Sequence, residues 1–99
     1  MKLEFRHTEL ELLYRDRNFF DRRLPENIRK SYVYKCFILE HSETPQDLYK
    51  IKSLHYEKYW KHHSVRLNQQ RRLVFDIDSL WNVFVVEIID VNNHYKKNF

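Results

Sequence analysis

Residues 83–91 read VFVVEIIDV, and this stretch carries the strongest strand pattern of the chain. It is rich in β-branched residues, whose side chains pack well on a pleated surface and favour extended backbone. The run is apolar on both faces instead of on alternate positions. We therefore predict a strand that lies inside a sheet, with a neighbour on each side.

A β-hairpin is predicted immediately before this strand. The segments HHSVRLN and RRLVFDI, between residues 62 and 77, alternate apolar and polar residues around the polar connection NQQ. The segment DIDSLWN then supplies the turn that leads into residues 83–91. The second half of the chain is thus expected to form antiparallel strands.

The first half predicts one strand and two helices. Residues 2–5, KLEF, alternate and form the strand. A helix follows over residues 10–20, with Thr8 and Glu11 in a capping box. A second helix covers residues 22–43, where Pro25 suits the first helical turn. Its apolar stripe, at helical spacing, consists of Ile28, Tyr32, Cys36 and Leu39.

These elements predict an α+β fold in a single domain over residues 1–99. An N-terminal strand is followed by two helices and then by a three- to four-stranded antiparallel sheet. Pro45 makes a continuation of the second helix unfavourable. We expect the helices to cover one face of the sheet and to leave the other face available for function.

Glycine is absent from all 99 residues, although about 7% is usual. This excludes glycine-rich phosphate loops, dinucleotide fingerprints and nucleophile elbows. Asparagine tolerates positive φ best after glycine. We expect such turn positions to fall to Asn68, Asn82, Asn92 and Asn93.

Cys36 is the single cysteine, so no internal disulfide can form, which agrees with a reducing compartment. Its apolar neighbours favour a buried packing role. No apolar run approaches the ~20 residues that span a bilayer, and the N-terminus is charged instead of apolar. We expect a cytoplasmic protein without a membrane partner. Trp60 and Trp81 are expected to pack in the core or in hairpins.

The net charge of +4 is unevenly distributed. Basic and acidic residues balance over residues 1–49, whereas residues 50–99 hold nine Lys and Arg against five Asp and Glu. A one-sided basic surface favours a polyanionic partner, and a solvated surface is the alternative. His62 and His63 are adjacent on a strand and therefore point to opposite faces, so we predict no metal site there.

Four residues of the second half have side chains suited to RNA cleavage. Arg66 and Arg72 can approach each other across the hairpin, and His94 and Tyr95 follow the long strand. When the 2′-hydroxyl of RNA attacks the adjacent phosphate, the reaction needs a base, an acid and positive charge, but no metal or other cofactor. Histidine can transfer the proton, and arginine binds phosphate as a bidentate fork.

The second half resembles the RelE superfamily of bacterial toxins, which cleave mRNA and belong to type II toxin–antitoxin pairs. The segments SLHYEKYW (53–60) and RRLVF (71–75) and the terminal HY pair (94–95) carry the resemblance, which is closest to the YoeB-like and HigB-like branches. It covers about residues 50–96, and the earlier half is similar in topology only. It implies the RelE/ParE-like fold.

The resemblance also implies roles for individual residues. Arg72 is similar to the phosphate-binding arginine of these toxins, His94 to the general acid and Tyr95 to the residue that orients the RNA. Arg66 stands where the family often places a second basic residue. The alternative for Arg72 is an ion pair with Asp76 or Asp78. The nuclease hypothesis requires Arg72 and His94 to share one exposed pocket.

The general base departs from the family pattern, because Lys52 stands where the YoeB-like branch has a glutamate. Lys52, His55 and Glu57 are the alternatives for this role. Other basic residues near the site are expected to dock on RNA. These RNA-binding candidates are Lys58, Lys61, Arg71, Lys96 and Lys97.

The resemblance implies a ribosome-dependent endoribonuclease that cuts mRNA in the ribosomal A site. Its implied partners are the ribosome, mRNA and a cognate antitoxin that covers the basic groove; a heterotetramer with the antitoxin is compatible with this. Two other functions remain open. One is a ParE-like inhibitor of DNA gyrase on the same fold, and the other is a non-catalytic RNA-binding module.

Overall fold

The computed structural model describes residues 1–91, and their elements follow the predicted order of strand, helices and sheet. In chain order these are β1 (Leu3–Phe5), α1 (Thr8–Arg15), α2 (Glu26–His41), α3 (Pro45–Lys50), β2 (Glu57–Tyr59), β3 (His62–Arg66), β4 (Arg71–Ile77) and β5 (Val83–Asp90). A 3-10 turn, Lys52–Leu54, connects α3 to β2. The predicted α+β fold class is confirmed.

The five strands form one sheet in the order β1-β5-β4-β3-β2. The predicted position of β5 inside the sheet is confirmed, because it pairs with β4 on one side and with β1 on the other. The β1–β5 pair is parallel, so the expectation of a purely antiparallel sheet is wrong for this edge. The reason is that α1, α2 and the later strands lie between β1 and β5 in the chain, and a connection of this length permits parallel pairing.

The predicted hairpin is confirmed as the antiparallel pair of β3 and β4. Its connection forms because the side-chain oxygen of Asn68 accepts the N–H groups of Gln70 at 2.8 Å and of Arg71 at 2.7 Å. This local turn sets the register, in which Arg66 lies directly opposite Arg72.

The helices pack on one face of the sheet through the predicted α2 stripe, whose four members are each at most 2% exposed. They join Leu73 and Phe75 of β4 in one core cluster. The Tyr32 hydroxyl donates to the carbonyl of Leu10 at 2.6 Å and so ties α2 to α1. The predicted burial of Cys36 is confirmed. Among residues 1–91, no helix combines the length and the apolar character that crossing a bilayer requires.

Three local features of the helices differ from the sequence-based expectations. The helix α1 ends at Arg15 instead of Phe20. Its N-cap is His7, without a side-chain cap, so the capping box at Thr8 is wrong. A third helix, α3, begins at Pro45 because the carboxylate of Asp47 accepts the N–H groups just before it, at 2.9 and 3.0 Å. The second helix ends at His41, before Pro45, as expected. The separate third helix was not predicted, and at its first turn the missing N–H of proline costs nothing.

The positive-φ positions are also not those expected from composition. The residues concerned are His55 (φ 46°), Trp60 (φ 57°) and Trp81 (φ 62°), and not Asn68 or Asn82. Asn92 and Asn93 lie outside the described residues. The two tryptophans stand in the turns of the β2–β3 and β4–β5 hairpins at 77% and 46% exposure, so of the two expected positions, core or hairpin, the core is wrong.

Candidate functional site

The face of the sheet opposite the helices holds the candidate site, and we call it the helix-free face. Side chains alternate along a strand. Because Leu73 and Phe75 point toward the helices, the even-numbered residues of β4 point to the other side. The helix-free face of the hairpin therefore carries His62, Ser64 and Arg66 of β3 and Arg72, Val74 and Asp76 of β4.

Arg72 is fixed within this face by its neighbours. Its Nε donates to the hydroxyl of Ser64 at 2.9 Å, and its Nη2 donates to the carbonyl of His55 and, at 3.4 Å, to that of Ser64. The Ser64 hydroxyl in turn donates to the carbonyl of Glu57 at 3.0 Å. One guanidinium thus joins β4, β3 and the segment before β2.

Arg72 is only 7% exposed, so the expectation of an exposed guanidinium is wrong. The sequence pattern could not show this, because the enclosing groups, Ser64 and the backbone at His55, come from other segments. The Nη1 group of Arg72 donates no hydrogen bond to any residue in the range 1–91. Arg66, the opposite member of the pair, is half-buried and keeps access to solvent.

The two arginines carry like charges at directly opposite positions of the sheet. Burial lowers the pKa of Arg72 below its usual range, the charge of Glu57 opposes this shift, and the charge of Arg66 adds to it. Like charges directly opposite each other on a sheet are destabilising. A bound anion would relieve this repulsion, so the pair is compatible with an anion site.

Neither alternative ion-pair partner reaches Arg72. Asp76 binds His62 Nδ1 at 2.5 Å through one oxygen and Arg6 Nη2 at 3.0 Å through the other. Asp78 accepts hydrogen bonds from Asn82 within its own turn. The ion pair of Arg72 with Asp76 or Asp78, weighed as an alternative, is therefore wrong.

The candidates for the general base lie at the edge of the same site. Lys52 begins the 3-10 turn before β2 and His55 directly follows that turn, and both side chains are exposed. The backbone of His55 adopts positive φ, and its carbonyl accepts from Arg72. Glu57 pairs with Ser64 across the β2–β3 ladder. The backbone carbonyl of His55 therefore contacts Arg72, while the imidazole of His55 faces solvent.

The predicted RNA-binding residues are dispersed. Lys58 pairs with His63, and Arg71 precedes Arg72, so by alternation both leave the helix-free face. Lys61 is exposed in the β2–β3 turn. The remaining predicted site residues, His94, Tyr95, Lys96 and Lys97, lie outside the described residues.

The two adjacent histidines point to opposite faces, as predicted. His63 stacks on Phe75 with ring centroids 5.6 Å apart, on the helix-covered side, and Tyr56 bonds its Nδ1. Burial lowers the pKa of His63, with a further contribution from Lys58. His62 lies on the other face with Asp76. No cluster of three metal-binding side chains occurs within residues 1–91.

The contact between His62 and Asp76 is the feature that sequence reasoning missed. A hairpin pairs residues whose numbers have a constant sum, and the Arg66–Arg72 pair fixes that sum at 138. His62 and Asp76 have the same sum. The signal was therefore present once the hairpin register was known.

A groove of about 790 Å³ lies between α1 and α2, and Arg29, one of the basic residues that line it, has a structural role. Arg29 donates to the carbonyls of Asp16 at 2.8 Å, Leu13 at 3.4 Å and Phe19. These contacts satisfy carbonyl groups at the C-terminal end of α1. We therefore place the candidate site on the sheet. No family model, curated protein or solved structure matches this chain.

Proposed function

We propose that this protein is a metal-independent endoribonuclease, acting as the toxin of a type II toxin–antitoxin system on mRNA in the ribosomal A site. The observation that carries the proposal is the pair of Arg66 and Arg72 on the helix-free face. Two cations held this close attract a phosphodiester, and their mutual repulsion falls when it binds.

The burial of Arg72 divides the work between the two arginines. Arg66 retains exposure and makes the direct contact with the phosphate. Arg72 is held by Ser64 and by the carbonyl of His55, so it supplies a preorganised positive charge that needs no rearrangement during the reaction. Because Arg72 is 7% exposed, it acts on the phosphate through its charge and not in the exposed pocket that the sequence-based hypothesis required.

In this proposal His94 is the general acid and Tyr95 orients the RNA. The described chain ends beside the hairpin, because the N–H of Val91 donates to the carbonyl of Gln70 at 2.7 Å. Three residues of extended chain span about 10 Å. The proposal requires His94 to act within that reach of the paired arginines. A cognate antitoxin would inhibit the toxin by covering the same face.

The burial of Arg72 also favours a second candidate, the non-catalytic RNA-binding module. An arginine that is 7% exposed and bonded on two of its nitrogens is better suited to hold charge than to follow a moving phosphate. In that case the face binds an RNA backbone and no bond is broken.

A cleavage assay on translating ribosomes separates these functions. Wild-type protein is added to a translation extract, and new RNA ends are mapped by primer extension. The assay is repeated with a metal chelator that is added after the ribosomes have stalled, to test whether cleavage needs a metal ion. Arg66→Gln should reduce cleavage at least tenfold, whereas Arg22→Gln, which removes an exposed charge from the loop before α2, should not. Binding without new RNA ends would favour the second candidate, and equal cleavage by both variants would remove the arginine pair from the mechanism.

A further inference from the structure

The connection between β2 and β3 presents an exposed tryptophan. Tyr59 pairs with His62, so Trp60 and Lys61 form a two-residue hairpin loop. Such loops favour positive φ at their first residue, a position that glycine or asparagine usually occupies. The chain has no glycine, and Trp60 adopts φ 57° while 77% exposed. A bulky residue in this conformation costs free energy, and at this position little burial of the ring offsets that cost.

The indole of Trp60 keeps a face open to solvent. It meets the ring of Tyr59 edge to face, with centroids 6.4 Å apart and planes at 81°. A contact of this kind covers at most one face of each ring. By contrast, the exposed ring of Phe37 is stacked on His41 with centroids 4.0 Å apart. Trp60 is therefore positioned by a neighbour and still able to receive a flat ligand.

A second exposed tryptophan lies at the same end of the sheet. Residues 78–82 connect β4 to β5, and Trp81 in this turn also has positive φ, 62°. Because β2 to β5 are antiparallel neighbours in sequence order, this turn and the β2–β3 turn lie at one end of the sheet. The two hairpins are two strand spacings apart, about 10 Å. A stacked strand rises ~3.4 Å per nucleotide, so about three nucleotides cover this distance.

The charges beside Trp60 favour an anionic ligand. Lys58 and Lys61 stand on either side of it in the chain and are both exposed. Within residues 1–91, neither lysine forms an ion pair. Glu57, the adjacent acid on β2, lies near enough to Arg72 to stabilise its charge. A flat ring between two such lysines is the combination by which proteins stack on unpaired bases and hold the nucleic-acid backbone by charge.

The second turn also contains an acidic residue, Asp78. Its carboxylate accepts the N–H groups of Leu80 at 3.0 Å and of Asn82 at 2.8 Å. These bonds hold the carboxylate against its own turn, where it fixes the backbone that carries Trp81. Phosphate contacts are therefore assigned to the lysines of the first turn, and the second turn contributes its ring.

We propose that these two hairpin turns form a binding surface for single-stranded RNA, in which Trp60 and Trp81 stack on unpaired bases and Lys58 and Lys61 contact phosphates. The choice of RNA as the ligand rests on the proposed function, and the surface itself requires no cleavage. Strained backbone at functional positions persists where it presents a side chain for use. The positive φ of both tryptophans is then the conformation that presents their rings to the bases.

Intrinsic fluorescence reports on this surface directly, because Trp60 and Trp81 are the two tryptophans of the chain. The probe is an unstructured RNA of about eight nucleotides, within the ~4–16 nucleotides that single-strand-binding folds cover. It should quench the emission of wild type and of each variant with one remaining tryptophan, Trp60→Asn and Trp81→Asn. An abasic oligomer of the same length keeps the phosphates and should quench about tenfold less. Equal quenching by the two oligomers would overturn stacking.

Affinity and stability should change in opposite directions in Trp60→Asn. Its affinity for the RNA should fall about tenfold, while its Tm should equal or exceed that of wild type, because asparagine adopts positive φ more readily. Trp60→Phe keeps a ring and should retain most of the affinity. Leu80→Asn is the matched control, since Leu80 is an apolar residue of the other turn, 80% exposed and without a ring. Equal losses in Trp60→Asn and Leu80→Asn would indicate an apolar protein-binding surface and overturn the inference, as would a lower Tm in Trp60→Asn.

The role of the lysines is tested by salt. Each phosphate contact on a single strand contributes about 0.7 to the slope of log affinity against log salt concentration, so Lys61→Gln should reduce the slope by about that amount. An unchanged slope would remove Lys61 from the surface. A blue shift of the emission on anionic lipid vesicles, without quenching by RNA, would overturn the inference in favour of a membrane surface.

The ribosome assay separates this inference from the proposed function. Stacking on RNA without new RNA ends would support the surface and overturn the nuclease. Cleavage by Trp60→Asn with the KM of wild type for ribosome-bound mRNA, together with unquenched emission in wild type, would overturn the surface alone.

Discussion

Replacing Arg66 with glutamine should make the free protein more stable while weakening its affinity for phosphate. Arg66 lies directly opposite Arg72, and cross-strand Cβ atoms in such a pair are ~4.5–5.5 Å apart. Glutamine keeps much of the aliphatic stem and removes the charge. The substitution therefore removes repulsion and little packing.

The size of the effect follows from the cross-strand pair. Charge pairs directly opposite on a sheet contribute about 0.2–1 kcal/mol, and like charges act against folding. A value of about 0.5 kcal/mol is reasonable, because Arg66 is half-buried and solvent screens part of the repulsion. For a domain of this size 1 kcal/mol corresponds to ~4–8 °C, so Tm should rise by about 2–4 °C.

Thermal unfolding at low ionic strength measures this change, and two additions sharpen it. Sodium chloride should reduce the difference in Tm between Arg66→Gln and wild type, since it screens the repulsion in wild type. A short RNA should raise the Tm of wild type more than that of the variant. Arg22→Gln provides the control, because its charge lies in an exposed loop. A lower Tm in Arg66→Gln, or equal stabilisation of both proteins by RNA, would refute the view of the pair as a phosphate site.

Three further substitutions or reactions probe the packing around the site. Burial holds the pKa of His63 below its unfolded value of ~6.5, so its contribution to the free energy of unfolding should be fully present above that pH and should fall as the pH drops from about 6.5 toward the folded pKa. His63→Gln should reduce the difference between the free energies of unfolding measured in urea at pH 5 and pH 7. An unchanged difference would contradict a buried His63 with a lowered pKa. Tyr32→Phe removes the buried hydrogen bond to the carbonyl of Leu10 and should lower the free energy of unfolding, measured in urea, by about 1–2 kcal/mol. Tyr34→Phe is the control, because Tyr34 is 59% exposed and its change should have little effect. Equal effects of the two substitutions would argue that the Tyr32 hydrogen bond does not hold α2 to α1. Burial also raises the pKa of Cys36, so its thiol should react with an alkylating reagent only after unfolding, and rapid labelling of the native protein would show that α2 opens.

The roles of the two arginines differ because their surroundings differ. Both stand on one sheet face in one register pair. Arg72 is enclosed by Ser64 and the His55 carbonyl, whereas Arg66 stands next to the turn at the end of β3. An enclosed cation is rigid and costly to strip of its partners, while a half-buried cation can exchange water for a ligand. In the proposed function, Arg72 is thus the fixed charge and Arg66 the adaptable contact.

Residues 52–57 show how backbone geometry contributes to the site. The 3-10 turn places His55 at positive φ, which is uncommon for a residue with a side chain. In this conformation the His55 carbonyl accepts from Arg72. Local strain at such positions persists where the surroundings impose it, and here the buried guanidinium provides a strong partner.

The sequence by itself determined the elements whose signals are local. The β-branched run of residues 83–91, the hairpin around Asn68 and the α2 stripe were all readable, because strand and helix periods depend on neighbouring residues. The hairpin register followed from its turn, and with it the facing of Arg66 and Arg72. The α+β order followed from the order of those elements.

Only the tertiary structure decided which groups from distant segments meet. The parallel pairing of β1 with β5, the enclosure of Arg72 by His55 and Ser64, and the approach of Arg6 to the carboxylate that binds His62 have no local signal. The physical reason is that periodicity reports which face a side chain takes, whereas burial and hydrogen-bond partners depend on what the folded chain brings over that face.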